Sequence, residues 1–365
     1  MNDSWGVSVS ESGKFPVPLT ILTGFLGAGK TTLLNYILRA DHGLRIAVLV
    51  NDFGVINIDS ALIVGVEGET VSLSNGCICC TIRDDLLMET LRLLKRPEPP
   101  EYVIVETSGV SDPMAVAMTF LMPELQPYVT VDSILTIVDS EQLFSLDDDY
   151  MQVAMGQIDV ADIVILNKLD RVAPEQLAEV KSKIAEMIPD VRLLEATYGR
   201  VPLEMVIGVG AYAPEKVAAR AAQDIHVHEE SDHTDHEHEH TDHSLVFSAW
   251  SWTSDEPLVI NAVREMVDQL PATIFRCKGV LNLTDFPERR AILQVVGRRA
   301  SLLLGDAWGE TKPTNQIVVI AAQGGLDSED LRTRFEACMV SRVESAQNAP
   351  NGDSMEWERS DYYDI

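Results

Sequence analysis

The stretch that most restricts what this chain can fold into is Gly24–Thr32, GFLGAGKTT, which follows the apolar run Val17–Thr23 and leads into a helical pattern at Leu33–Ala40. Glycines at Gly24, Gly27 and Gly29 let the backbone turn tightly and aim its N–H groups inward, while the following helix presents its positive end to the same point. Lys30 then neutralises the β- and γ-phosphates of a bound nucleotide, and the Thr31 hydroxyl holds Mg²⁺. The match to G-x-x-x-x-G-K-[ST] is complete in the strand–loop–helix setting its mechanism needs. A chance glycine-rich turn before a helix would leave the adjacent Lys and Thr unexplained. The expected fold class is therefore α/β, a P-loop NTPase domain on a mostly parallel sheet.

Other short β-branched runs bounded by turn residues read as buried strands of that sheet: Arg45–Asn51, Glu69–Gly76, the run opening at Glu101, Ser133–Asp139, Ala161–Asn167 and Val191–Glu195. Asp52 is expected just past the second strand, where it can reach Mg²⁺ or a bound metal, or else simply form a turn before Gly54. Glu106 ends another strand and can reach the Mg²⁺ shell through water; Gly109 has the freedom to bring its N–H to a γ-phosphate, so 106–109 reads as a switch. Asn167, Lys168 and Asp170 form N-K-x-D after a strand. The Asp170 carboxylate can accept both N–H donors of the guanine edge and the Lys168 stem can cover the base, which selects GTP over ATP. Thr197 and Gly199 can approach the base from the other side. Helices are expected at 81–96, with Thr81 near the cap, and at 174–188, with Pro174 in the first turn.

Of five cysteines, Cys77, Cys79 and Cys80 crowd into four positions. Thiolates are soft ligands suited to Zn²⁺ or Cu(I), and three of them leave a tetrahedral site open, the kind that can release its metal; buried, inert cysteines are the alternative. Residues 224–243 hold seven of the eight histidines and eight carboxylates, with no Lys, Arg or Gly. His233, His236, His238 and His240 with their acidic neighbours suit Zn²⁺, Ni²⁺ or Co²⁺, in a linker too polar to bury a core; a solvated acidic linker is the bland alternative. The formal charge of −29 excludes non-specific binding to nucleic acid or anionic membrane and favours metal cations and basic partners. No signal peptide and no run of about eighteen apolar residues is evident, so a cytoplasmic protein is expected. The divisions read as a flexible arm at 1–15, a nucleotide domain at 16–210, a His/acid-rich linker at 211–243, a smaller α/β or α+β domain at 244–340 and an acidic tail at 341–365. Within the fourth, a helix is expected near 287–303, a strand at 315–322 and a final helix after Leu326. Past about Val340 disorder is expected.

GFLGAGKTT, NDFGVINID, SNGCICC, VETSGVSDP, NKLD, the His-rich linker, FSAWSW and RCKGVLNL occur in one order, and together they resemble the CobW-type GTPases, relatives of the GTPases that help load nickel into urease and hydrogenase. The resemblance covers roughly 16–340. It implies GTP hydrolysis coupled to delivery of a metal, often zinc, to a client metalloprotein. It also implies phosphate contacts from Gly27, Ala28, Gly29, Lys30, Thr31 and Thr32, Mg²⁺ at Thr31, a switch at Glu106–Gly109, guanine recognition at Asn167, Lys168 and Asp170, and metal at Cys77, Cys79 and Cys80. The family's second motif often reads N-E-x-G-E; here Asp52 replaces the first acid and Val55 the second. The implied cofactors are GTP, Mg²⁺ and Zn²⁺, with Co²⁺ or Ni²⁺ as other cargo, and a homo-oligomer is compatible with the reading. The rival functions are a dedicated activator of one metalloenzyme, nitrile-hydratase-like or related to cobalamin synthesis, and a metal-buffering protein with negligible turnover.

Overall fold

A computed structural model of the chain describes residues 7–9, 16–40, 42–52, 70–74, 79–207 and 247–347. Its first sheet has seven strands: β2 (Val17–Thr23), β3 (Ile46–Asp52), β4 (Thr70–Ser74), β5 (Tyr102–Thr107), β6 (Val129–Asp139), β7 (Ile163–Asn167) and β8 (Arg192–Glu195). They run parallel in the order β4-β3-β5-β2-β6-β7-β8. Every residue of β5 and β7 is buried, as expected where helices cover both faces of a parallel sheet and the strands read as continuous apolar runs. The crossover helices are α1 (Lys30–Arg39), α2 (Cys79–Leu94), α3 (Pro113–Phe120), α4 (Asp148–Asp159) and α5 (Pro174–Met187), and the short α6 (Leu203–Val206) follows the last strand. The strand order reverses around β2, so the carboxyl ends of β2, β5 and β6 form the crevice where such sheets bind ligands.

The second sheet has six strands in the order β1-β12-β11-β10-β13-β9: β1 (Val7–Val9), β9 (Phe247–Ser254), β10 (Ile274–Asn282), β11 (Arg289–Val296), β12 (Arg299–Ala307) and β13 (Asn315–Ala322). Its pairings are antiparallel except that of β1 on β12, and its helices α7 (Ile260–Asp268), α8 (Ser328–Ala337) and α9 (Val340–Gln347) fall between and after the strands, so this part is α+β.

Three expectations are corrected here. The helix expected near 287–303 is the hairpin β11–β12, with Val296 paired to Arg299 across Gly297 and Arg298. Gly297 has φ 56° and an added Cβ would strike the Asp162 carbonyl, which fixes glycine at that turn. The arm at 1–15 contributes a strand, since Val7–Val9 pair with Leu302–Leu304. The chain past Val340 continues as a helix to Gln347.

The two sheets share a core. One buried cluster joins Leu22, Ile104, Leu135 and Ile165 of the first sheet to Phe247, Phe275, Val296, Val318 and Ile320 of the second. A polar knot sits at the same junction. Arg276 of β10 donates through Nη2 to Asp132 Oδ2 of β6 at 2.8 Å, with the two side chains 2% and 0% exposed. Its Nε and Nη2 also reach the carbonyls of Met205 and Val206 at 2.9 Å. Tyr102 donates its hydroxyl to the same Asp132 oxygen at 2.7 Å. Because the phenol has only one proton, the Thr20 hydroxyl, 2.7 Å away, must donate to Tyr102, and Ser133, 2.9 Å from Thr20, must donate to Thr20. Lys278 of β10 stands 4.0 Å from Asp132 Oδ1.

Candidate functional site

The loop from Gly24 to Gly29 joins β2 to α1, and its glycines take conformations that other residues rarely adopt. Gly24, Gly27 and Gly29 have φ of 139°, 75° and 111°, and a Cβ at Gly24 or Gly29 would run into the Ile137 carbonyl or the Asn167 side chain. This is a closely wrapped cradle with the amino end of α1 at its mouth, which suits a chain of phosphates. Ala28 is fully buried beneath it. Lys30, buried, lays its Nζ back on the loop, 2.9 Å from Gly24 O and 3.3 Å from Phe25 O, so the ammonium stands at the cradle rather than out in solvent. Thr31 donates its hydroxyl to Glu106 Oε1 at 2.9 Å, across from β2–α1 to β5. The hydroxyl and carboxylate that a Mg²⁺ shell needs therefore already face each other, and the cradle fits Mg²⁺·nucleotide. Beneath them Thr107 donates to Thr23 at 2.8 Å, locking the ends of β5 and β2 together. Thr32 follows in the first turn of α1, exposed.

The segment after Glu106 folds onto the cradle. Gly109 is buried, and an added Cβ there would lie 2.8 Å from Leu26 N. Ser111 N donates to Ser108 O at 3.0 Å, closing a turn, and Asp112 caps α3 by accepting from Met114 N at 2.8 Å. Sequence reading passed over the residue that holds this turn from outside: Gln157 of α4 donates Nε2 to both Gly109 O and Ser111 O at 3.1 Å. Its signal was available, because Gln157 lies on the same helical stripe as Ala154 and Ile158, the buried face of α4.

On the β7–β8 side, Asn167 ends β7 with both amide functions in use. Nδ2 donates to Ala28 O at 2.8 Å and Oδ1 accepts from Gly199 N at 2.9 Å, so Asn167 joins the cradle to the loop after β8. Gly199, at φ 66°, lies against the start of α1, where an added Cβ would be 2.9 Å from Leu33 N. Lys168 takes a left-handed conformation, φ 63°, and pairs with Asp139 at 2.6 Å; this partner, at the end of β6, was also missed. Asp170 stands near the rim, its side chain 31% exposed and 4.0 Å from Arg171.

At the carboxyl end of β3 and along β4 the backbone alone is described. Asp52 is the last residue of β3 rather than one past it, and it pairs with Ser74, the last residue of β4. The helix begins at Cys79, two residues ahead of the expected Thr81, so Cys79 and Cys80 open α2. Cys77 and His233, His236, His238 and His240 lie outside the described residues. Among the described residues no group of three metal-binding side chains occurs, and no helix is long and apolar enough to cross a membrane.

Residues 18–195 match the CobW/HypB/UreG nucleotide-binding domain, and residues 247–339 match the cobalamin synthesis protein cobW C-terminal domain. The chain is 31% identical over 340 residues to a zinc-regulated GTPase metalloprotein activator 1 of Dictyostelium discoideum, covering 81% of this chain and 70% of that one. It is 33% identical over 336 residues to a zinc chaperone CobW of Pseudomonas aeruginosa, covering 83% and 87%. Among solved structures, the Zn(II)-bound YjiA GTPase of Escherichia coli is 25% identical, with a TM-score of 0.42, over 89% of this chain and 99% of that one.

Proposed function

This chain belongs to the CobW family, and from that membership we propose that it is a GTPase metallochaperone that binds a transition metal, zinc before cobalt or nickel, at its CxCC cysteines and hands it to a client metalloprotein under the control of bound nucleotide. The observation that carries the coupling is the strand order β2-β5-β3-β4. Adjacent strand ends bear, in turn, the cradle, Glu106, Asp52 and the segment leading to Cys79 and Cys80. A rearrangement at the γ-phosphate can therefore pass across two strands to the thiolates.

In this reading Lys30 neutralises the β- and γ-phosphates and Thr31 supplies its hydroxyl to Mg²⁺, whose charge offsets that of the phosphates. Glu106 accepts from Thr31 and orients that shell, and the Gly109 N–H meets the γ-phosphate. The attacking water is positioned by residues 106–109 rather than deprotonated by a dedicated base, because phosphoryl transfer depends mainly on positioning and electrostatics. Asp170 accepts the two N–H groups of guanine, Lys168, steadied by Asp139, covers the base, and Asn167 sets the distance between cradle and base loop. The histidine-rich segment gathers metal without a preorganised site. A cytoplasmic location and a basic client surface go with this reading, the latter because the chain carries a net charge of −29.

The test is phosphate release from Mg²⁺·GTP and Mg²⁺·ATP, with and without Zn²⁺. Turnover that prefers GTP and responds to Zn²⁺ supports the reading. Measurable Zn²⁺ binding with no nucleotide turnover would make the protein a metal buffer.

A further inference from the structure

We infer that Gln157 is a positioning residue for GTP hydrolysis, holding the γ-phosphate switch in register with the cradle. The inference rests on the reading above that the Gly109 N–H meets the γ-phosphate. Gln157 lies in α4, outside the nucleotide motifs of the sequence, and is 1% exposed. A carboxamide in so buried a position is costly unless its groups are bonded. What this one bonds is the switch, through a single Nε2 whose two protons go to Gly109 O and Ser111 O, on either side of the exposed Val110. Its Oε1 is buried with no hydrogen-bond partner among the described residues, so the amide is not there to complete a network of its own.

The helix that carries Gln157 is itself fixed to the nucleotide sheet. Thr136 of β6 donates to Gln157 O at 2.6 Å. The next residue of β6, Ile137, sits against Gly24 at the root of the cradle. At its other end α4 sets Tyr150 against Phe25 of the cradle, with ring centroids 5.4 Å apart and the planes tilted by 52°. Gln157 lines a small cavity with Phe25, Leu26 and Asp139, so the cradle and the Lys168 partner face the same cavity as the side chain that holds the switch. Gly109 is pressed so closely on Leu26 N that no side chain fits. A turn with that little clearance, held at two carbonyls, keeps its N–H direction fixed while the γ-phosphate is present. Without the amide the same turn has two buried carbonyls to satisfy and a reason to rotate.

Gln157→Leu and the gentler Gln157→Asn would be compared with the wild type in full-length protein, using fluorescent GDP, a non-hydrolysable GTP analogue and steady-state GTP hydrolysis. The expected result for Gln157→Leu is a kcat lower by about tenfold or more, with affinity for the GTP analogue falling several-fold further than affinity for GDP, as the loss of about two hydrogen bonds would give. Gln157→Asn, one methylene too short to reach both carbonyls, should change in the same direction by less, and it decides the matter if the Leu variant does not fold. A purely structural role predicts a lower Tm with GDP and analogue affinities reduced equally. That result, or a kcat within twofold of wild type, would overturn the inference. A wild type that hydrolyses no GTP, or binds GDP and the analogue without distinction, would instead remove the γ-phosphate reading beneath it.

Discussion

The phosphate cradle and the buried knot at the junction of the sheets are both built on β2, β5 and β6, yet they differ in almost every physical respect. The cradle gathers neighbours in sequence, Gly24 to Thr31, at the carboxyl ends of the strands, and its polar groups rest on loop backbone and on Glu106. The knot gathers Thr20, Tyr102, Asp132, Ser133, Arg276 and Lys278 from four strands of two sheets, with Arg276 and Asp132 almost wholly out of water. A buried charge pair contributes little net stability over apolar packing, but removing one partner is expensive, so its effect is to enforce one way for the sheets to meet.

The charge states follow from that burial. Burial alone would raise the Asp132 carboxyl, but the charges of Arg276 and Lys278 and the hydrogen bonds from Tyr102 and Arg276 outweigh it and hold the group at about 2. Burial pushes Lys278 down to about 8, against the pull of Asp132. Tyr102 is driven well above its ordinary value of 10.0, by burial first and the Asp132 charge second, and stays neutral.

The comparison breaks most sharply at Lys30. Lys30→Ala should lower GTP hydrolysis by roughly 100-fold or more while thermal unfolding is nearly unchanged, because a preorganised cation at a developing charge is lost. Hydrolysis within a few-fold of wild type at saturating Mg²⁺·GTP would move the active site elsewhere. Arg276→Met should do the reverse, lowering stability by about 3–5 kcal/mol through the stranded Asp132 charge. Pairing it with Asp132→Leu should restore most of that loss, and a double variant no more stable than the single would show that the knot is not a paired charge. Asp170→Ala is expected to remove about 1.5–3 kcal/mol of the preference for GTP over ATP, readable by calorimetric titration.

The smallest effect is in pH. With Asp132 at about 2 when folded against an ordinary 3.8, its contribution of roughly 2 kcal/mol is fully present above pH 4 and fades as pH falls toward 2. Lys278 acts in the other range. Held at about 8 against an ordinary 10.5, it binds fewer protons folded than unfolded, so stability should rise as pH goes from 8 towards 10.5. Denaturant melts of wild type and Asp132→Asn across these windows check both signs.

The same contrast explains what could be read from the chain. Strands such as β5, β7 and β13 appear as short apolar runs between turn residues, and the cradle as a contiguous motif, because their determinants are local. The hairpin β11–β12 was misread as a helix because ILQVVGRRASLLL spaces its apolar residues in a way that suits either period; Gly297 at φ 56°, after Val295 and Val296, decides for the hairpin. β1 is three residues long and is defined only by its partner β12. The knot could not be read at all, since Thr20, Asp132 and Arg276 have nothing in common until the strands are paired. Gln157 falls between these cases: a polar residue on an apolar helical stripe signals a buried partner without saying which.

Coupling between nucleotide and metal is tested most directly by the Zn²⁺ affinity of the wild-type protein in its GTP-analogue and GDP forms, measured by competition with a chromogenic chelator. Nucleotide-controlled delivery predicts a difference of about 5–150-fold between the two forms, the same factor by which Zn²⁺ shifts GTP-analogue against GDP affinity, and its disappearance in Cys79→Ala with nucleotide binding retained. Identical Zn²⁺ affinities in the two forms would contradict it.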